Sequence, residues 1–170
     1  MENCKKAIKE WNAVVEALGQ GKQSILIRKY ATTNREFLLY PTFSYAIKDD
    51  YLNMFKEEYQ PFVEENAFPL KRDEEVQIKY YASVEKILKK SAGSMGRLNN
   101  MHMWTNAHVK SYLENKKGFV WLLRVYELEE PIFAEKNMGM IFANLKKGAS
   151  LEGMKPVIND NDFKELESKI

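Results

Sequence analysis

The run FVWLLRVYEL at residues 119–128 is the strongest strand signal in the chain, built almost wholly from aromatic and branched side chains. It commits the chain to a sheet, and other segments supply partners. In QSILIRKY, Ile25 and Ile27 alternate with Leu26 and Arg28, a strand at least partly covered on both faces. REFLLYP reads as its hairpin partner, reached through a polar ATTN turn and ended by Pro41, which cannot donate to a ladder. EVQIKYYASV places Val76, Ile78 and Tyr80 inward against Gln77, Lys79 and Tyr81 outward. MGMIFANL is one more strand, and Pro131 is expected to stop the 119–128 strand from continuing.

Helical periodicity accounts for much of the rest. Ala7, Ile8, Trp11, Val14, Val15 and Leu18 recur at spacings of three and four, which predicts one helix over CKKAIKEWNAVVEALGQG, stopped by Gly19 and Gly21. The acidic stretch from Asp49 to Glu65 is expected to be helical, with Leu52, Phe55 and Tyr59 inside and Pro61 breaking it. SAGSMG reads as a loop. Thr105 is placed to cap a short helix, NAHVKSYLEN, whose Val109, Tyr112 and Leu113 would face the core, and NDNDFKELESKI forms an acid-capped terminal helix. Strands with unevenly interspersed helices predict an α+β fold: a small twisted or partly closed mixed β-sheet or barrel with packed helices. No repeat, low-complexity tract or linker divides residues 1–170, so a single domain is expected.

Composition narrows the classes. Hydrophobic residues at 45% and charged residues at 29% exclude a disordered chain. No run approaches the roughly 18 apolar residues of a membrane span, and the N-terminus has no apolar signal core. The one cysteine, Cys4, excludes an internal disulfide and a thiolate zinc cluster, and a reducing cytoplasm is the expected location. Net charge is only +2, but it is segregated: residues 1–48, 49–75, 76–124 and 125–170 carry net +4, −6, +7 and −3. Such alternation either sets a basic face beside an acidic one or pairs off on folding.

Candidate site residues gather around LNNMHMWT, residues 98–105. His102 and His108 are six apart with no third histidine or nearby acid, so neither a metal nor any other cofactor is expected. As a recognition element, His102 and Trp104 offer ring faces for a base, with Asn99, Asn100 and Thr105 as hydrogen-bonding groups. The competing structural reading packs Trp104 into the core and bonds His102 to a backbone group. Arg124 inside an apolar strand must reach water, a carboxylate or a phosphate. Either it pairs with Glu10 or Glu16, or it converges with Arg28 and Lys29 near Tyr40 and Thr42 on a phosphate-binding floor. Lys86, Lys89, Lys90, Lys110, Lys116 and Lys117, with Tyr80, Tyr81 and Tyr112 among them, form the densest cationic zone.

KEWNAVVEALGQGKQSILIRK, FLLYPT, LNNMHMWT, WLLRVYELEEP and PVINDNDF, in that order, resemble the family catalogued as domain of unknown function 1802 over nearly the whole chain. The resemblance carries no settled activity. The family pattern places a histidine after the Y-P-T-aromatic element where this chain has Tyr45, which argues against a general base there. A shorter stretch, GKQSILIR, is similar to the segment that opens the ASCH barrel of the ASCH and PUA group, which implies RNA or modified-nucleotide binding.

These readings lead to a nucleic-acid or nucleotide-binding module, with Arg28, Lys29 and Arg124 on phosphate and His102 and Trp104 on a base. Two other classes compete. A metal-dependent nuclease or phosphodiester hydrolase would use Asp73, Glu74 and Glu75 with Gln77 and Lys79 on one strand face. A protein-interaction subunit would need only an exposed apolar patch. Oligomeric state is not encoded in any pattern found.

Overall fold

The computed structural model describes residues 3–137 and 139–170. The predicted α+β class holds. In chain order the elements are β1 (Asn3–Trp11), α1 (Asn12–Gly19), β2 (Ile25–Arg28), β3 (Glu36–Thr42), α2 (Gln60–Glu65), β4 (Lys71–Arg72), β5 (Glu75–Lys90), α3 (Asn106–Leu113), β6 (Gly118–Ala134), β7 (Phe142–Ser150), β8 (Lys155–Pro156) and α4 (Asp160–Ser168). Among the described residues the strands form one eight-stranded mixed sheet in the order β2-β6-β5-β3-β1-β7, with β4 on β5 and β8 on β6. Among the described residues only β1 and β3 run parallel. The sheet is not closed into a barrel, since β2 and β7 end the ladder.

The first predicted helix divides at Trp11, which turns the chain from β1 into α1. Ala7 and Ile8 fit a strand as well as a helix, and β1 is held extended by β3 on one side and β7 on the other. In α1 all eight residues are buried, so this helix is wrapped on every side. The expected β2–β3 hairpin does not form. β2 pairs with β6, while β3 lies between β1 and β5. The long β5–β6 ladder, running from Val76↔Ala134 to Lys90↔Gly118, offers both short strands larger partners than each other.

Prolines sit where a donor is not needed. Pro41 lies inside β3 opposite Glu10, beyond Leu38, where the pairing with β5 ends. Pro131 lies inside β6, in the irregularity where Ile78↔Ile132 gives way to Tyr80↔Glu127. The same irregularity reverses the inward face of β5: Ile78 and Tyr81 enter one core and Tyr80 the other. The acidic 49–65 stretch is two 3-10 turns, Tyr51–Met54 and Glu57–Tyr59, followed by α2, which Pro61 starts rather than breaks. Residues Ala92–Met101, expected as a loop in their first part, form a 3-10 helix. The predicted strand MGMIFANL begins only at Phe142, and its Met138 lies outside the described residues.

Alternation along β3 shows how the layers are arranged. Phe37 and Leu39 join α1, α3, β2 and β6 in the larger core, whereas Leu38 and Tyr40 point to a second core drawn from β1, β3, β5, β6 and β7. That second core has no helical member, so the sheet curls around its own side chains. No helix among the described residues is long and apolar enough to cross a membrane.

At the end of α1 the backbone of Gly19 lies against Tyr80, and a Cβ there would overlap the phenol ring. Gly19→Ala is expected to cost about 1–3 kcal/mol through overpacking. Gly93→Ala, where nothing lies within 4 Å of the new Cβ, should change stability by less than about 0.5 kcal/mol. Urea denaturation of both variants checks the contrast.

Candidate functional site

Glu10 is the last residue but one of β1 and Arg28 ends β2, and their side chains form a direct ion pair although four strand spacings separate them along the ladder. A flat sheet would hold them roughly 19 Å apart at about 4.8 Å per strand. The pair therefore bridges the open seam of the curled sheet. The Trp11 backbone N–H donates to Glu10 Oε1 at 2.8 Å, and Arg28 donates to the Ile27 carbonyl at 3.1 Å as well as to Glu10 Oε2. Both groups are thus fixed in orientation. Burial alone would lower the Arg28 pKa, but the Glu10 charge and hydrogen bond hold it above its ordinary value.

Over this seam lies a cleft of about 470 Å³. β1 contributes Lys9, Glu10 and Trp11, β2 contributes Ile27 and Arg28, and Thr42 and Ser44 follow from the end of β3. One wall is α3, with His108, Val109 and Tyr112, and another is Gly139, Met140 and Ile141. Trp11 is stacked from behind by Tyr45, with centroids 4.8 Å apart and planes 12° from parallel. The Tyr45 hydroxyl is fixed by the Ala13 N–H and the Ala67 carbonyl, and burial pushes its pKa up to about 12. Lys9 bonds the Asn137 carbonyl and lies over the Tyr40 ring, and burial with the nearby Lys136 charge lowers its pKa.

LNNMHMWT reaches the cleft through Trp104. Lys56 is its organiser, donating from Nζ to the carbonyls of Asn99 and of His102, the latter at 2.7 Å. Backbone bonds Lys56 N to Met103 O (2.9 Å) and Thr105 N to Met54 O (3.0 Å), with Gln23 Oε1 accepting from Met103 N, complete a clamp. Trp104 is 5% exposed yet lines the cleft, and its buried Nε1–H has no hydrogen-bond partner among the described residues. His102, 1% exposed, sits behind it with ring centroids 5.5 Å apart.

The sequence-derived residues therefore separate. Arg28, Thr42 and Trp104 line the cleft. Lys29 lies at its rim, 5.0 Å over the Tyr112 ring and 3.9 Å from Glu114. Thr105 uses its hydroxyl to cap α3, accepting from His108 N at 3.0 Å. Tyr40 belongs to the second core and donates to the Glu135 carbonyl. Arg124 does not meet Arg28. It donates to Asp160 and the Ile158 carbonyl, both at 2.8 Å, and lies over Phe163, on the α4 side. Neither Glu10 nor Glu16 is its partner: Glu10 holds Arg28, and Glu16 holds Lys79 at 2.7 Å.

Lys79 is thereby drawn away from the acids of the nuclease reading, and Asp73 and Glu74 are exposed at the β4–β5 turn. Among the described residues no group of three or more His, Cys, Asp or Glu side chains is arranged to hold a metal ion. Lys9, Glu10, Trp11 and Ser44 are lining residues to which the sequence assigned no ligand role. By pattern Trp11 reads as core and Glu10 as a partner for Arg124, whereas Tyr112 reads both as core and as one of the rings of the cationic zone.

Residues 7–169 match the family described as Domain of unknown function (DUF1802). No curated protein matches the sequence. Two crystal structures of the ASCH protein of Zymomonas mobilis share the fold. A serine-to-alanine variant is 13% identical and a tyrosine-to-phenylalanine variant 12% identical, each with a TM-score of 0.51. The alignments cover 99% of this chain and 98% of the first structure, and 96% of both chains for the second.

Burial, with the Lys56 charge second, lowers the His102 pKa from 6.5 to about 4, opposed by the nearby Trp104 backbone. The unfolded chain then binds the extra proton first as pH falls. The neutral imidazole's contribution is fully present above about pH 6.5 and is lost on acidification toward pH 4. It is worth up to about 3 kcal/mol. Urea melts at pH 7 and pH 4.5 should show His102→Leu losing about 2 kcal/mol less than the wild type on acidification. His108, lowered in the same direction by burial, titrates in both proteins.

Proposed function

The chain belongs to the family described as Domain of unknown function (DUF1802), and from that footing and the cleft we propose that the protein is a nucleic-acid or nucleotide-binding module that seats one base in the seam. The observation that carries this reading is the continuity of an aromatic cleft with a cationic edge. Ring faces from Trp11, Tyr112 and Trp104 share the cleft with Lys9 and Arg28, and its volume falls within the roughly 300–1,000 Å³ of small-ligand sites. Tyr112 and Arg28 also border the outer edge. Arg28 pairs in register with Phe119, Phe119 with Lys89, and Gly118 with Lys90. Lys29 lies over Tyr112 and Lys89 over Phe119, while Lys110, Lys116 and Lys117 are exposed nearby in sequence. A strand backbone following that edge meets lysines, and a base turned inward meets rings. This is the division of labour expected of single-strand binding.

The roles differ from those first assigned to the residues. Arg28, Lys9 and Trp104 keep or gain contact with the ligand, Lys29 serves the rim, and His102 and Thr105 act by holding Trp104 and α3 in place. Arg124 and Tyr40 have no part. The shared fold with the ASCH protein is compatible with this reading without supplying a substrate.

Fluorescence anisotropy with short single-stranded RNA and DNA tests the proposal between 50 and 200 mM salt. Binding should weaken steeply, by about 0.7 in log–log slope for each phosphate contacted. Replacing Lys89, Lys90 and Lys117 together with alanine should flatten the slope by about 2. Binding that is absent, or that ignores salt, would overturn the proposal.

A further inference from the structure

Among the described residues two carboxylates are buried, Glu10 and Glu16, and they are spent differently. Glu16, on α1, accepts from Lys79, from the Tyr80 hydroxyl and from Gln20, with Oε1 alone receiving three contacts at 3.0–3.3 Å. Its acceptor capacity is used internally. Glu10 accepts one bond on each oxygen, from Trp11 N and from Arg28. An ionised carboxylate offers about four lone-pair sites, so Glu10 keeps roughly one free acceptor position on each oxygen. It lies at the cleft, beside an arginine with donors still unused, and its adjoining residue is the stacked Trp11.

Arg28 is bonded to Glu10 Oε2 and both residues line the cleft, so the pair can offer a ligand edge one donor followed by two acceptors. The complementary edge carries an acceptor followed by two donors. Among the common bases that order belongs to the pairing edge of guanine: O6, then N1–H, then the N2 amine. Adenine offers one donor and one acceptor on this edge, and uracil a single donor between two acceptors. Cytosine brings one amine donor and two acceptors, which would require two free donors beside one acceptor. Both ends of the array are held by backbone groups, so binding need not order them.

We infer that the seam cleft is selective for guanine, read on its pairing edge by Glu10 and Arg28 with the ring against Trp11. The inference rests on the nucleotide-binding reading above and specifies the base. It involves no chemical step.

Isothermal titration of the intact protein with guanosine, inosine, adenosine, cytidine and uridine 5′-monophosphates tests it. A good bidentate contact discriminates by roughly 1–3 kcal/mol, so the guanosine nucleotide should bind about 10-fold or more tightly than the others. Inosine monophosphate lacks only the N2 amine and is the sharpest comparison. 1-Methylguanosine monophosphate, blocked at N1, should lose affinity to a similar degree. In Glu10→Gln, which keeps the side chain's shape, the guanosine-to-inosine ratio should fall toward one. Equal affinity for the guanosine and inosine nucleotides, or tighter binding of adenosine monophosphate, would overturn the selectivity while leaving nucleotide binding intact. If no nucleotide and no oligonucleotide binds, the functional proposal itself fails.

Discussion

The Glu10–Arg28 pair decides the shape of the working face. Ladder hydrogen bonds run from β2 through β6, β5 and β3 to β1 and β7, and there they stop. What holds β2, at one end of this path, near β1, one strand short of the other end, is side-chain contact: an ion pair across the seam, flanked by Trp11, Trp104, His108 and Tyr112. Had backbone hydrogen bonds closed the seam, no space for a ligand would remain between the strands. Because charged groups bridge it instead, the curl of the sheet is kept and a concave, polar-floored gap is left. The second core, drawn from five strands with Leu151 just beyond β7, is the inner side of the same curl.

Around that gap the structure is stiffened by polar contacts to backbone. Lys56 collects two carbonyls from the 98–105 stretch, Gln23 takes the Met103 amide, and Thr105 closes the first turn of α3. Each gives a partner to a backbone group, and for the buried Met103 amide an unsatisfied state would cost about 1–3 kcal/mol. The result is a rigid support for Trp104 and for the α3 wall. Tyr45 does the same for Trp11 by stacking and by its two hydrogen bonds. Tyr45 stands where the family pattern led us to expect histidine, and its place in this chain is that of a buttress, fully engaged by Ala13 and Ala67.

The sequence was most informative where a residue's physical preference had no competitor. The apolar run of β6, the Thr105 cap and the α+β class were legible because branched strands and capping hydroxyls have few other uses. Ala7, Ile8 and Trp11 misled because three apolar residues at helical spacing also satisfy a strand, and only β3 and β7 decide between them. The β2–β3 hairpin failed for a related reason: sequence proximity favours it, but a strand buried on both faces goes to the partner that covers it. Arg124 is recognisable in the sequence as a charge needing a partner. That its partner would be Asp160, and that Glu10 would instead hold Arg28, depended on a curl that no local pattern encodes.

Stability by itself gives a weak reason for a buried ion pair at the seam. Replacing such a pair with well-packed apolar groups is often neutral or stabilising by about 1–4 kcal/mol, because two charges must be stripped of water to form it. The Glu16–Lys79 contact has a partly exposed lysine, with a side chain 34% accessible, so its desolvation is partial. Glu10 and Arg28 are 5% and 12% accessible and bear nearly the full cost. A hydrophobic seam would hold the sheet ends at least as well, yet it would offer a ligand neither donor nor acceptor. What the charged pair adds to the fold is a pair of orientated groups at the cleft with hydrogen-bonding positions that the described residues leave unused, which an apolar seam would lack.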